Sequence, residues 1–556
     1  MPPALEIRNP TGMTDFDAVV AGGGPNGLAA ALKLAEAGWA VCLVEANDDV
    51  GGAVRTVEST LPGFRHDFGA GFFPLAGAAP AFTDRDLGRY GLRMRHAPIP
   101  AAHPFPGGEA VALGRSVEQT AASLTKVHAR DGDAWAELDG TVGDATVLFL
   151  RATMERIPAV PLARLLARLG PSGAVDFARL VVSGATSIAE RFESQQARAF
   201  LVGPAMHADM QPELPGTGIY ALLLAMAGER FGNPVAEGGT GRISRAMADA
   251  LQDAGGVVAT GRPVRRILVE GGRVAGVEAG GDPITAGRAV IAALDPDLVV
   301  RMAGPDNFPS GAVTQVRRFR RGLGTCKVDW ALDGPVPWAA EECCQAAVVH
   351  VGDSVEAMSK GAWEASYGLL PAWPTLILGQ QSLADPSRAP AGKHTLWGYA
   401  HVPAAPVGDA ARPGAQAVGW DQVADVFADR MEAGVEAHAP GFRDRVLARR
   451  VWTPVDLQAA DASLVGGDIT AGSFAIDQQL LFRPGPSWWR WGTPLKGLYL
   501  GGAGVPPGAG VHGACGDLAA RQALADARRP ARLTAAAAAG AGLLAALAAR
   551  GRQPPR

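Results

Sequence analysis

DAVVAGGGPNGLAAALKLAEAGWAVCLVEANDDVGG, the stretch from Asp17 to Gly52, decides the fold of this chain. Ala18, Val19 and Val20 form a short apolar run suited to a buried parallel strand, and Gly22, Gly24 and Gly27 follow it in the spacing GxGxxG. The turn needs backbone freedom, the second glycine admits a pyrophosphate close to the chain, and the third lets helix and strand pack tightly. Pro25 and Asn26 then open a helix whose free N–H groups and positive dipole end favour an anion without a basic side chain. Leu28 to Ala37 are mostly Ala and Leu, with Gly38 where a helix stop belongs. Val41 to Val44 predicts the next buried strand, ending in Glu45, where a carboxylate can accept hydrogen bonds from adenosine ribose hydroxyls and disfavour a 2′-phosphate. A GxGxxG alone can arise by chance in so glycine-rich a chain. Strand before, helix after and acid at the right distance argue for a dinucleotide cofactor.

Gly51, Gly52 and Arg55 follow the acid closely. Here the chain resembles the FAD-binding group typified by glutathione reductase, amine oxidases and phytoene desaturases, whose second motif is a glycine pair with a nearby arginine. The resemblance implies bound FAD rather than exchanging NAD, with the glycines passing close to the cofactor and Arg55 contacting its phosphates. The competing reading of Arg55 is an ordinary solvated surface cation.

Composition agrees with a large enzyme. The chain has 556 residues, 48% of them hydrophobic, and a mean hydropathy of +0.09, enough to bury a sizeable core across two or more domains. A net charge of −4 offers no general reason to bind nucleic acid. Cys42, Cys326, Cys343, Cys344 and Cys515 are too scattered for a disulfide framework and form no spaced metal-ligand set. The N-terminus, MPPALEIRNPTGMT, lacks a charged segment followed by an apolar core, so residues 1–14 are expected to be a short disordered lead and the compartment a reducing cytoplasm. Leu533 to Ala549, within an Ala-rich tail over 531–556, is short and weakly hydrophobic for a bilayer span. A terminal helix or frayed tail is expected there, with peripheral membrane contact as the alternative.

The middle of the chain returns to the same kind of sheet. Glu237, Gly238 and Gly239 lead into a helix around Ile243 to Ala254, followed by a strand at Val257 to Ala259. Val264 to Val269 and Val274 to Val277 flank Gly271 and Gly272 as a hairpin, and Ala289 to Ala293 returns to the main sheet. In the flavin families resembled, the residue at Val264 touches adenine through its backbone; a plain buried strand residue is the competing reading.

A third piece, Lys496 to Leu500, runs as an apolar strand into GGAGVPPGAGVHGACGDLAARQAL, Gly501 to Leu524. This resembles the C-terminal FAD motif of the phytoene desaturase and carotenoid isomerase group, in the branch related to pyridine nucleotide-disulfide oxidoreductase domain-containing protein 2. LPGFRHDFGAGFFP (Leu61 to Pro74), QSLADPSRAPAGKHTLWGYAHVP (Gln381 to Pro403) and GGDITAGSFAIDQQLLFRPGP (Gly466 to Pro486) are similar to segments of the same branch. The resemblance implies that Gly502, Ala503, Gly510 and Val511 approach the flavin. A helix from near Gly513 would aim its positive end at the N1 and O2 edge and favour the anionic reduced ring. Related oxidases often carry an acid where Ala503 stands, which argues for the desaturase-like branch and against an amine oxidase. His512 is the candidate catalytic side chain, able to act in proton transfer, against the alternative of a histidine hydrogen-bonded to its own loop. Trp330, Trp338, Trp397, Trp452, Trp488 and Trp489 could line an apolar tunnel or simply pack a core. His207, His394 and His401 are read as surface or core histidines.

The expected fold is α/β: a doubly wound, glutathione reductase-like Rossmann domain for FAD, assembled from separated segments, with an inserted α+β substrate domain. The expected segments are 15–110, 229–300 and 486–530 for the cofactor, a mainly helical stretch 111–228, and 301–485 with an antiparallel sheet. The expected reaction is dehydrogenation of a hydrophobic small-molecule substrate by hydride transfer to flavin N5, with oxygen, a quinone or another electron acceptor completing the cycle. A redox-neutral isomerase of a polyene and a non-enzymatic FAD-stabilised interaction protein are the alternatives. The oligomeric state carries no sequence signature.

Overall fold

The structure is a computed structural model that describes residues 15–155, 159–414 and 419–528. The expected lead at 1–14 and the tail at 531–556 lie outside the described residues.

Apolar runs become strands where the sequence expects them. β1 (Asp15–Ala21) leads into α1 (Pro25–Glu36) and β2 (Val41–Val44). Much later come α2 (Gly241–Asp253), β3 (Val257–Ala259), β4 (Val264–Glu270), β5 (Arg273–Ala279) and β6 (Asp282–Ala292). β7 (Leu498–Leu500) and α3 (Ala514–Ala527) close the set. All seven strands share one sheet in the order β4-β5-β6-β1-β2-β3, with β7 beside β6. β1 pairs in parallel with β2 and β6, β2 with β3, and β6 with β7. Three chain stretches far apart in sequence thus build a single sheet. β6 serves two neighbours in turn, Asp282 to Thr285 against β5 and Val290 to Ala292 against β7.

α1 is almost entirely small and apolar because it is covered on several sides. Gly27 to Leu32, Leu34 and Ala35 are all buried, and α1 packs between α2 and α3 as well as on the sheet. Each buried leucine contributes about 1.5–3 kcal/mol, while the alanines let neighbouring helices come close. The helices over the parallel strands form one layer, α2–α1–α3. The doubly wound expectation is modified accordingly: the sheet extends through the antiparallel hairpin β4–β5, and helix Pro296–Ala303 packs against β4.

A second seven-stranded sheet runs Val446–Trp452, Gly324–Leu332, His394–Val402, Leu376–Gly379, Ala346–Val351, Ile99–Pro104 and Ala110–Leu113. Alternation along His394–Val402 sends Leu396, Ala400 and Val402 into a cluster with helix Trp420–Glu436. It sends Trp397 and Tyr399 the other way, toward helices Gln195–Ala205 and Thr217–Phe231. Residues 111–228 are mainly helical, and the long helix Ala159–Val182 breaks at Gly170, just before Pro171. One boundary moves: Ile99–Pro104 pairs in parallel with Ala346–Val351, so the first segment leaves the cofactor sheet well before residue 110. That pairing is between residues some 250 apart in sequence, which no local pattern encodes.

Candidate active site

The site begins where β1 stops. Gly22 takes φ +101° and donates its N–H to the Val44 carbonyl at 2.8 Å. A Cβ on Gly27 would overlap the Gly22 carbonyl, so turn and helix touch as the motif requires. No side chain caps α1 and no acidic residue stands in its first turn. The Asn26 Oδ1 beside it is buried without a partner. An uncapped helix start and an orphaned polar atom together mark a place for a polar ligand. Pro25 opens the first turn, where its missing N–H costs nothing.

Glu45 is buried, with Oε2 accepting from the Gly23 N–H at 2.7 Å and Oε1 from the Asn47 N–H at 2.9 Å. The acid therefore fixes the glycine loop directly. Gly51 donates to the Gly23 carbonyl at 2.9 Å, joining the two glycine motifs. The two motifs pack on each other without side chains: a Cβ built on Gly24 would lie 3.8 Å from the Gly52 Cα, and one built on Gly52 would lie 3.1 Å from the Gly24 Cα. Arg55 is not a solvated cation. Its guanidinium donates to the Gly52 carbonyl at 2.7 Å and the Ala460 carbonyl at 3.2 Å, and lies over the Phe68 ring at 4.8 Å. On the same side is Asp461, which sequence reasoning passed over. Burial pushes its carboxyl up, with Arg55 opposing and Glu45 reinforcing, so an acid beside Gly52 is held toward its neutral form. Val264 is half-buried at the start of β4, and the neighbouring Arg262 N–H donates to the Glu45 carbonyl at 2.8 Å, which keeps that strand end next to the acid.

The C-terminal loop meets this cradle from the other side. The Gly501 N–H donates to the Ala292 carbonyl at 2.9 Å, and Gly502 packs against the Leu294 backbone. Gly510 takes φ +128°, Val511 is half-buried, and α3 starts after Gly513 in the left-handed region. Gly516 passes so close to the Asn26 carbonyl that any side chain there would overlap it. Two helix N-termini, those of α1 and α3, are thereby brought together, a concentration of positive potential no single motif announces. The groups gathered here fit a dinucleotide: an uncapped helix start for the diphosphate, a ribose-type acid and two glycine motifs that meet without side chains.

His512 is buried, and its Nδ1 accepts the Ala514 N–H at 3.0 Å. Burial lowers its pKa to about 4, with the carbonyls of Ala509 and Gly508 partly opposing, so the ring is neutral at physiological pH. Arg483, missed by sequence reasoning, reaches the Ala503 carbonyl at 3.0 Å and that of Thr470 at 2.7 Å. Nothing local marks it: an arginine among loop residues reads as surface until the fold buries it. The six tryptophans divide among separate environments rather than lining one tunnel. Trp330 packs with Phe442, Trp488 with Phe308 and Trp397 with Phe72, while Trp489 is exposed.

Charged and polar groups also lie deep around the cradle. Arg388 is buried between Asp67 at 2.9 Å and Asp385 at 2.8 Å, linking the chain after the glycine pair to the second sheet. Lys327 pairs with Asp329, beside His66, whose pKa burial lowers to about 4. Against the Trp397 face, the Tyr399 hydroxyl meets His207 Nδ1 at 3.0 Å and His207 Nε2 meets His350 Nε2 at 2.9 Å. His401 and His394 are both half-buried, His401 meeting the His207 carbonyl at 3.3 Å. A groove of about 640 Å³ lined by Trp420, Asp425, Arg449 and Asp456 lies along helix Trp420–Glu436, away from the glycine loops. Among the described residues no group of His, Cys, Asp and Glu could hold a metal ion, and no described helix is long and apolar enough to cross a membrane.

Comparison with known proteins places this arrangement. The model of the flavin containing amine oxidoreductase family matches residues 26–523. Pyridine nucleotide-disulfide oxidoreductase domain-containing protein 2 of Rattus norvegicus is 28% identical, covering 91% of this chain and 93% of that protein. Phytoene dehydrogenase of Streptomyces griseus is 27% identical, covering 89% and 92% respectively. A crystal structure of an oxidoreductase from Methanosarcina mazei shares the fold with a TM-score of 0.59 at 17% identity, over 91% of this chain and 99% of that one.

Proposed function

The chain belongs to the flavin containing amine oxidoreductase family, and from that membership we propose that this FAD-dependent oxidoreductase dehydrogenates a hydrophobic small molecule and passes the electrons to a second acceptor. Bound FAD supplies the two-electron acceptance at its ring. The protein supplies grip, orientation and exclusion of water.

In this reading Gly22, Gly24, Pro25, Asn26 and Gly27 hold the diphosphate at the start of α1, and Glu45 takes the adenosine ribose. Gly51, Gly52 and Arg55 cover the phosphates, Val264 meets the adenine, and Gly502, Ala503, Gly510 and Val511 line the ring end. The single observation that carries the reading is the uncapped, acid-free start of α1 beside the side-chain-free contact of Gly24 with Gly52. His512 keeps the ring-end loop in shape just before α3, since its Nδ1 is already engaged by the Ala514 N–H. The α3 N-terminus adds a fixed positive field there.

Support for an apolar substrate comes from what adjoins that loop. Trp397 donates to the Gly69 carbonyl at 3.0 Å and packs on Phe72, and both belong to one apolar cluster with Met206, Leu223 and Tyr399. Such walls exclude water from the reacting carbon and align it by shape. Relatives named as dehydrogenases and desaturases favour net oxidation over a redox-neutral isomerase or a non-enzymatic role. The inferred domain assembly, three cofactor segments around an inserted substrate domain, follows from the same reading.

The test is a pair of measurements. Gly24→Ala should yield folded protein that binds FAD at least about tenfold more weakly, a cost of about 1.4 kcal/mol or more. Wild-type holoprotein given an apolar donor under anaerobic conditions should lose its oxidised flavin absorbance. Full flavin affinity in the variant would remove the cofactor role assigned to Gly24, and a flavin never reduced by any apolar donor would remove the substrate class.

A further inference from the structure

Beside the loop that carries Arg483, the surface is apolar. Ile476, Leu480, Leu481, Phe482 and Trp489 are between 40 and 62% exposed. Leu214 and Val182, also exposed, continue the ridge. The Gly216 N–H donates to the Ser183 carbonyl at 3.1 Å, and a Cβ on Gly216 would lie 3.7 Å from the Ile476 Cβ. Single exposed apolar side chains are ordinary, but a contiguous set from separate chain segments marks a contact surface. Leu480 adds an independent point. Its φ of +52° puts a leucine in the left-handed region, at a cost of about 1–2 kcal/mol. Glycine or asparagine would make the same turn more cheaply, and burial gives nothing back at 62% exposure.

The rim is basic. Arg317, Arg318 and Arg320 stand exposed at the end of helix Ser310–Arg318, which is fixed to the ridge by the Ser487 N–H donating to Gln315 Oε1 at 2.9 Å. Arg490 lies over the Trp489 ring at 5.9 Å. Against these four cations stand Asp477, paired with Arg320, and Glu213. Aliphatic and aromatic tips ringed by arginine, with a tryptophan at the edge, match the chemistry of a lipid headgroup boundary. A two-fold contact with a second copy would instead bring like-charged rims together.

The ridge also stands over the ring end of the candidate site. Trp491 Nε1 donates to the Pro506 carbonyl at 2.7 Å and Arg483 reaches Ala503, so one loop carries both the ridge and the wall of the C-terminal glycine loop. Just inside, Phe474 packs edge-on against Tyr220, with ring centroids 4.5 Å apart.

We propose that this ridge docks the protein onto an anionic phospholipid surface. An apolar substrate then passes inward behind Phe474 without crossing water. That consequence rests on the substrate reading above, whereas docking stands without it, and vesicle binding reads docking alone.

The experiment is co-sedimentation of full-length holoprotein with phosphatidylcholine vesicles, with and without phosphatidylglycerol. Wild type is expected to sediment with the anionic vesicles. Leu480→Ser, Phe482→Ser and Trp489→Ser combined should lower the bound fraction about tenfold or more. Arg317→Glu with Arg490→Glu should abolish the preference for phosphatidylglycerol while leaving the apolar tips intact. Flavin absorbance and elution volume identify the variants as folded. Wild type that stays in the supernatant, or a triple variant that sediments as well as wild type, overturns the proposal. A wild-type dimer that the triple variant converts to monomer also overturns it, because a second copy would then cover the ridge.

Discussion

Gly24 can test the cofactor site without testing the fold. Its φ of −68° suits any residue, and a Cβ there would make only ordinary contacts, 3.8 Å to the Gly52 Cα and 4.0 Å to the Gly51 carbonyl, so an added methyl disturbs the ligand rather than the chain. Apoprotein melting temperature should change by no more than about 2 °C on Gly24→Ala, while flavin is lost on gel filtration. His512 makes a different prediction. Its folded pKa of about 4 lies below the ordinary imidazole value of 6.5, so the unfolded chain binds the extra proton between those limits. The contribution is complete above about pH 6.5 and is lost as pH falls toward 4, on the order of 3 kcal/mol at most. Thermal melts across that window should show a shallower pH slope for His512→Asn, whose side-chain oxygen can still accept from Ala514. An unchanged slope would show that His512 does not titrate with unfolding. At this scale Glu45 was legible because spacing from the glycines marks it. Asp461 and Arg483 were not, because their importance lies in burial beside loops from elsewhere in the chain.

Among elements, the contact of α1 with α3 is where geometry outweighs propensity. Alanine is favoured over glycine inside a helix by roughly 0.5–1 kcal/mol, yet at Gly516 a Cβ would overlap the Asn26 carbonyl. Overpacking costs about 1–3 kcal/mol, so Gly516→Ala should destabilise and lower flavin occupancy together, read by denaturant unfolding and absorbance. The Arg388 link is the other inter-element tie. Arg388→Met leaves Asp67 and Asp385 buried without their cation and should cost about 3–5 kcal/mol in unfolding free energy. A loss under about 1 kcal/mol would mean the carboxyls rehydrate or protonate cheaply. β1, α1, β2 and the β4–β5 hairpin could be read from the chain, because each is specified by local periodicity and turn glycines. The strands Ile99–Pro104 and Ala110–Leu113 were not legible, and the boundary expected at residue 110 fell beside them, since Ile99–Pro104 pairs with a strand distant in sequence.

For the molecule as a whole, the cofactor should act as a structural member. Three segments meet at one sheet, so FAD that bridges their loops binds the folded state alone. With FAD at about a hundred times its Kd, stability should rise by about 2.7 kcal/mol, seen as a higher melting temperature. The same addition should stabilise Gly24→Ala by about 1.4 kcal/mol or less, because a site at least tenfold weaker is then at about ten times its Kd or below. No response in wild type would separate the sheet from the cofactor role assigned to its loops.

The sequence by itself determined that a glycine-rich turn and a ribose-type acid serve a dinucleotide, because that motif is local and its chemistry follows from spacing, while FAD and the role of the C-terminal glycine loop came from resemblance to flavin families. Only the tertiary structure decided that α1 and α3 meet at Gly516, that Arg55 serves the backbone rather than solvent, and that an apolar ridge stands over the ring-end loop. Those facts depend on which distant segments come together, and burial and contact across hundreds of residues leave no trace in local pattern.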